Sequence, residues 1–146
     1  PTLRAADLTP IQVFNYVNLL ATNGNAGTPH FVMVDKIPKN ITPKIDSKFW
    51  NRIKSDMKDV INHENGTGRS ANPNVDGMIV FGKTGTAENP HGENHAWFIG
   101  WAELDDSKYS IVVLLENSGS GGTVAAPVAR KVFAQISKNT QLSFYE

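Results

Sequence analysis

A chain of 146 residues is the size of one domain and long enough to bury a hydrophobic core. With 40% hydrophobic and 19% charged residues, its composition is globular rather than disordered. The 14 Lys and Arg balance the 14 Asp and Glu, so bulk charge favours neither nucleic acid nor an anionic membrane; the lack of cysteine excludes a disulfide framework and a thiolate metal site. The longest aliphatic run, 111–115, is too short to span a bilayer, and no signal peptide is visible. The chain opens on Pro1 rather than Met, which reads as a fragment or a processed product.

Thr9-Pro10 reads as an N-cap and first helical position. Ile11, Phe14, Val17 and Leu20, with Val13 and Leu19 nearby, follow helical spacing, and Asn23-Gly24 stops the helix. Residues 31–37 fit a short strand and 38–43 a loop. Asp46 or Ser47 caps a second helix running to about residue 63, with Phe49, Ile53, Met57, Val60 and Ile61 on one side. Residues 65–76, rich in Gly, Asn and Pro, form a connection. Three strands follow, at about 77–86, 95–104 and 109–117, with 105–108 as a tight hairpin connection between the last two. Residues 118–122 form a flexible loop, and 124 to about 137 a closing helix. No repeat or domain boundary is visible. The predicted fold class is α+β, with helices packed on one antiparallel sheet in a single unit over 1–146.

The chemistry concentrates at Lys83-Thr84-Gly85, at the end of the first strand and before Thr86-Ala87-Glu88. A point charge, a short hydroxyl and a glycine in succession suit a strand edge that holds an anionic acyl substrate. The bare tripeptide, taken alone, reads better as a solvated strand end whose Lys only adds solubility. Its surroundings decide. They are Leu8-Thr9-Pro10-Ile11-Gln12, the run Gly82-Lys83-Thr84-Gly85-Thr86-Ala87-Glu88, and His95-Ala96-Trp97-Phe98-Ile99-Gly100-Trp101-Ala102. Tyr109-Ser110-Ile111-Val112-Val113-Leu114-Leu115-Glu116-Asn117 and Gly121-Gly122-Thr123-Val124-Ala125-Ala126-Pro127-Val128-Ala129-Arg130 follow. In order and spacing these stretches resemble the C-terminal part of the transpeptidase domain of class B, elongation-type penicillin-binding proteins. The resemblance covers nearly the whole chain, with residues 38–46 contributing least. The family carries Ser-x-x-Lys, a Ser-x-Asn type triplet and Lys-Thr-Gly.

The resemblance implies part of a serine β-lactamase-like fold and a peptidoglycan D,D-transpeptidase acting by serine acyl transfer. Lys83 then contributes positive charge and a hydrogen bond near the proton-shuttling group. Thr84 and Thr86 recognise the substrate carboxylate, Gly85 keeps the strand surface open, and the backbone N–H of Thr86 is an oxyanion donor. Peptide substrate pairs along this edge. The implied partners are peptidoglycan stem peptides and β-lactams, without nucleic acid, cofactor or metal. The parent protein is expected on the outer, periplasmic face of the cytoplasmic membrane, held by an anchor absent from this chain.

Ser55-Asp56-Met57-Lys58 fits Ser-x-x-Lys and Ser70-Ala71-Asn72 fits Ser-x-Asn, but both read as decoys. Ser55 falls in mid-helix and after the Thr9-Pro10 helix, which the family's nucleophile precedes. The chain is therefore expected to be a partial domain, lacking the nucleophile and the N-terminal half that would cover it. Self-association through the surface so exposed is also expected.

His95 reads as a hydrogen-bonded structural residue, and His30, His63 and His91 lack metal-ligand spacing. Among Trp97, Phe98 and Trp101, one set packs in the core. Residues 89–94 form either a gate or an ordinary hairpin loop; Arg130 and Lys131 read as solvated. Glu88 stands where many relatives carry Gln. The Gly-rich run 118–122 reads as a strand-to-helix connector rather than a phosphate loop, since it lacks the Lys-Ser/Thr ending. Alternatives to the transpeptidase reading are a fragment of a class D β-lactamase or β-lactam sensor domain, and a non-catalytic interaction module.

Overall fold

The computed structural model describes residues 8–30, 32 and 44–142. The strand expected at 31–37 and the loop at 38–43 lie outside the described residues, Val32 apart.

The first helix, α1 (Pro10–Ala21), begins where Thr9-Pro10 predicts. The Thr9 hydroxyl accepts from the Gln12 N–H at 3.4 Å, and the Gln12 side chain accepts from the Thr9 N–H at 2.8 Å, closing a capping box. Asn23 (φ 53) and Gly24 (φ 81) are left-handed, and the Gly24 N–H returns to the Leu19 carbonyl at 2.6 Å, ending the helix as expected. The second helix, α2 (Ser47–Asn62), is capped by the Asp46 carboxylate, which accepts from the Lys48 N–H at 3.0 Å. Its buried residues are Trp50, Met57 and Ile61. Phe49, expected on the core side, is exposed under the Lys48 ammonium, and its neighbour Trp50 takes the core position.

Three antiparallel strands follow in the order β1 (Ile79–Ala87), β2 (His95–Leu104), β3 (Ser107–Leu115). Their bounds differ from expectation for local reasons. β1 starts at Ile79, not 77, because Gly77 (φ 77) and a Met78 N–H bond to the Val75 carbonyl make a turn there. Ser107 and Lys108 belong to β3, paired with Leu104 and Glu103, which leaves Asp105-Asp106 as a two-residue turn with Asp105 at φ 51. β3 stops at Leu115, and Asn117 (φ 49) turns the chain away. Gly121–Ala125 forms a wide π-helical turn that leads into α3 (Ala126–Leu142), so the flexible loop expected at 118–122 is ordered helix from Gly121.

Alternation along the strands gives the sheet two packed faces. On one, Val80, Ala96, Phe98, Ala102 and Val113 meet Ile61, Ala71 and the α3 residues Ala126, Ala129 and Phe133. On the other, Phe81 and Trp101 meet Val17, Leu20 and Ala21 of α1 and Trp50 and Met57 of α2. Phe81 and Trp101 face each other across β1 and β2 and stack at 4.7 Å between centroids, 8° from parallel. The architecture is α+β: helices on both faces of one antiparallel sheet.

Glu103 finishes the α1/α2 face. Its carboxylate accepts from Trp101 Nε1 at 3.2 Å and from Lys108 Nζ at 2.5 Å, with Lys54 Nζ of α2 at 3.7 Å. Partial burial pushes the Glu103 carboxyl up, but the hydrogen bonds from Lys108 and Trp101 and the two ammonium charges outweigh it and hold the carboxyl below its usual value. Lys54 is pushed down by its own burial and by Lys108. A carboxyl depressed by folding stabilises the fold above its unfolded-state pKa, and that contribution is lost as pH falls through the folded value. Glu103→Gln is therefore expected to be less stable than the unmutated chain near neutrality, with the two converging in acid. A gap that stays constant through the carboxylate range, followed by urea unfolding, would remove the charge from the account.

Candidate active site

β1 is an outer strand, and its last five residues divide between its two faces. Lys83, Gly85 and Ala87 share the face of Phe81, towards α1 and α2; Thr84 and Thr86 share the face of Val80, towards the Gly121–Ala125 turn. Lys83 is exposed, and its ammonium donates to the Thr84 carbonyl at 2.8 Å, using one of three N–H bonds. It lines a shallow groove with Asp59, His63, Gly66 and Thr67. A second groove, of about 300 Å³, runs beside Gly85, Thr86 and Ala87 and is walled by Leu8, Val13 and Trp97.

Gly85 lies flat over Trp97: a Cβ there would stand 3.3 Å from the Trp97 Cβ. Behind the strand, a Cβ on Gly121 would collide with the carbonyl oxygens of Gly85 and Trp97, so only glycine lets the turn settle onto β1. Thr84 is half-buried, with its hydroxyl 2.9 Å from that of Thr67. Thr86 is exposed, and its hydroxyl accepts a long 3.5 Å bond from the Gly121 N–H. The four residues singled out from sequence thus sit together at one strand end, with cation and hydroxyls on opposite faces.

The wall behind them is built from parts that sequence reasoning treated as connections. The Gly68 N–H donates to the Val60 carbonyl at 3.0 Å, and a Cβ on Gly66 would strike that same carbonyl, so the loop hugs the end of α2 and presents Thr67 to Thr84. Ser70 Oγ donates to the Gly122 carbonyl at 2.7 Å. Gly66-Thr67-Gly68 and Gly121-Gly122 were the legible signals, since paired small residues mark close backbone approach.

Ser70 and Asn72 are committed to this wall: Asn72 donates to the Asn62 side chain at 3.3 Å and accepts from the Asn74 N–H at 2.8 Å. Ser55 and Lys58 are both exposed in the middle of α2. His95 Nδ1 accepts from the Asn117 N–H at 3.0 Å, the structural role expected of it. The loop 88–94 is an anchored hairpin loop: Asn89 donates to the Asn117 side chain at 2.6 Å, and the Asn94 carbonyl accepts from the Ser118 and Gly119 N–H groups at 2.9 Å. Phe98 and Trp101 are fully buried, whereas Trp97 borders the groove. Glu88, Arg130 and Lys131 are exposed. Among the described residues no group of three His, Asp or Glu is placed to hold a metal ion, and no helix is long and apolar enough to cross a membrane.

The family model of the penicillin binding protein transpeptidase domain matches residues 5–134. The peptidoglycan D,D-transpeptidase MrdA of Haemophilus influenzae is 35% identical, over 85% of this chain and 23% of its own length. The crystal structure of Pseudomonas aeruginosa PBP2 in complex with WCK 5153 superposes with a TM-score of 0.68 at 30% identity, over 86% of this chain and 29% of that one. PBP2 of Helicobacter pylori, in complex with MreC, gives a TM-score of 0.67 at 30% identity, over 86% and 24% of the two chains. The chain spans about a quarter of the length of these proteins. Over residues 5–134, nearly its whole length, the chain belongs to the penicillin-binding protein transpeptidase domain family.

Proposed function

We propose that this chain supplies the Lys-Thr-Gly wall of a peptidoglycan D,D-transpeptidase site, as one part of a larger transpeptidase domain. The observation that carries the reading is an exposed cation and two hydroxyls at the end of an outer strand, beside an open groove, in a chain of this family. In the reaction a serine oxygen attacks the penultimate D-alanine carbonyl of a stem peptide. The amide bond breaks, and the terminal D-alanine leaves with a proton. The amine of a neighbouring stem then attacks the acyl ester, forming the cross-link and returning a proton to the serine oxygen. β-Lactams enter by the first step and stay.

Each residue has a role in that sequence. Lys83 places positive charge beside the proton-shuttling group. Thr84 and Thr86 receive the substrate carboxylate, and the Thr86 N–H points at the oxyanion. Gly85, flat over Trp97, leaves the strand surface open for an extended peptide. The nucleophile comes from outside these residues. Ser55 lies exposed in mid-helix, far from the pre-organised, water-excluded setting that an activated serine needs. The whole protein works at the outer face of the cytoplasmic membrane, where stem peptides are. Leu8, Ile11, Tyr16 and Phe49 are exposed apolar side chains through which the isolated chain self-associates.

The test is intact-mass spectrometry after incubation with benzylpenicillin, on this chain and on an upstream-extended form. The expected result is a covalent adduct on the extended form only. An adduct on this chain would place the nucleophile within it, and no adduct on either would reject the transpeptidase reading.

A further inference from the structure

We propose that Thr67 is a positioning residue for the site, which sets the direction in which Thr84 offers its hydroxyl proton. The inference rests on the reading of Thr84 as a carboxylate-binding group. Thr67 comes from a loop 17 residues upstream, yet its hydroxyl lies 2.9 Å from that of Thr84, and either can be the donor. A threonine hydroxyl has one proton and two lone pairs. If Thr84 donates to Thr67, it has no proton left for an incoming carboxylate. If Thr67 donates to Thr84, the Thr84 proton is free to point into the site, and the chain from Thr67 to Thr84 to carboxylate is polarised along its length. An anion at the site selects the second arrangement.

The loop is built to hold Thr67 there. Gly66 and Gly68 are pressed against Val60 and Ile61 at the end of α2. A Cβ on Gly122 would stand 2.6 Å from the Thr67 carbonyl oxygen, so that turn packs directly on the threonine backbone. Ser70 ties the same loop to Gly122 at 2.7 Å. Loop, turn and strand are thus locked round one pair of hydroxyls, and Thr67 acts through Thr84 without touching substrate.

The experiment uses the upstream-extended protein and benzylpenicillin, with half-saturation and limiting acylation rate measured separately for T67V, T67S, T84V and the double variant T67V/T84V. T67V keeps the shape and removes the hydroxyl; it is expected to reduce acylation efficiency about tenfold, chiefly by raising the half-saturation concentration. T67S restores the hydroxyl and is expected to recover most of the loss. In the T84V background T67V should add less than about twofold, because both act through one bond. A merely structural Thr67 would move the unfolding midpoint, leave T67S as impaired as T67V, and add fully to T84V; any of these with T84V impaired overturns the proposal alone. If T84V acylates normally, the carboxylate-binding reading itself fails, and the proposal with it.

Discussion

Lys83→Ala in the upstream-extended protein is expected to slow β-lactam acylation by about 10²–10³-fold, the usual cost of removing one preorganised electrostatic group from an acyl-transfer site. The fold should scarcely notice. Lys83 is exposed, and its one hydrogen bond among the described residues is to the carbonyl of the next residue, so stability should change by no more than about 0.5 kcal/mol. Lys83→Arg is expected to stay impaired, because a planar fork does not replace a compact ammonium. Stopped-flow acylation beside urea unfolding checks both halves. Normal acylation by the alanine variant would dismiss Lys83 from the chemistry, and a large loss of stability would recast it as structural.

Trp101→Ala is expected to cost about 3–5 kcal/mol of stability, the largest effect of any single change here. The ring is fully buried, stacks on Phe81, and packs with Val17, Leu20, Trp50 and Met57. Its Nε1 also donates to Glu103, so truncation removes a partner from the half-buried carboxylate. Trp101→Phe keeps the stack while giving up volume and the N–H, and should recover most of the loss. Chemical denaturation of the three proteins is the check. A loss below about 1 kcal/mol for alanine would mean that the α1/α2 face contributes little to the fold.

What the sequence made legible was local. Thr9-Pro10-Ile11-Gln12 contains a whole capping box within four residues, and Asn23-Gly24 contains its own left-handed stop, so α1 was readable at both ends. The nearly continuous apolar run 95–104 marked β2, whose observed bounds are His95 and Leu104. Lys83, Thr84, Gly85 and Thr86 were found because they are contiguous. The wall behind them was not, because its contacts join distant residues: 17 positions separate Thr67 from Thr84, and 52 separate Ser70 from Gly122. No periodicity reports such a pairing. Helical spacing pointed to Phe49 for the buried stripe of α2, and packing with Phe81 and Trp101 takes its neighbour Trp50 instead. Ser107 and Lys108 looked like turn residues by composition; the ladder to Glu103 and Leu104 claimed them.

The Phe81–Trp101 stack lies two residues before Lys83, and Val80 on the opposite face lies four before Thr84. Because strand residues alternate strictly, these even spacings tie buried bulk to chemistry by parity alone. One residue inserted between Phe81 and Lys83 would leave every core side chain upstream in place, yet send the ammonium to the face of the Gly121–Ala125 turn and the hydroxyls to the side of Trp97. The molecule could then fold correctly and be chemically inside out. Insertions and deletions in this short stretch should accordingly be far more damaging in odd numbers than in even ones.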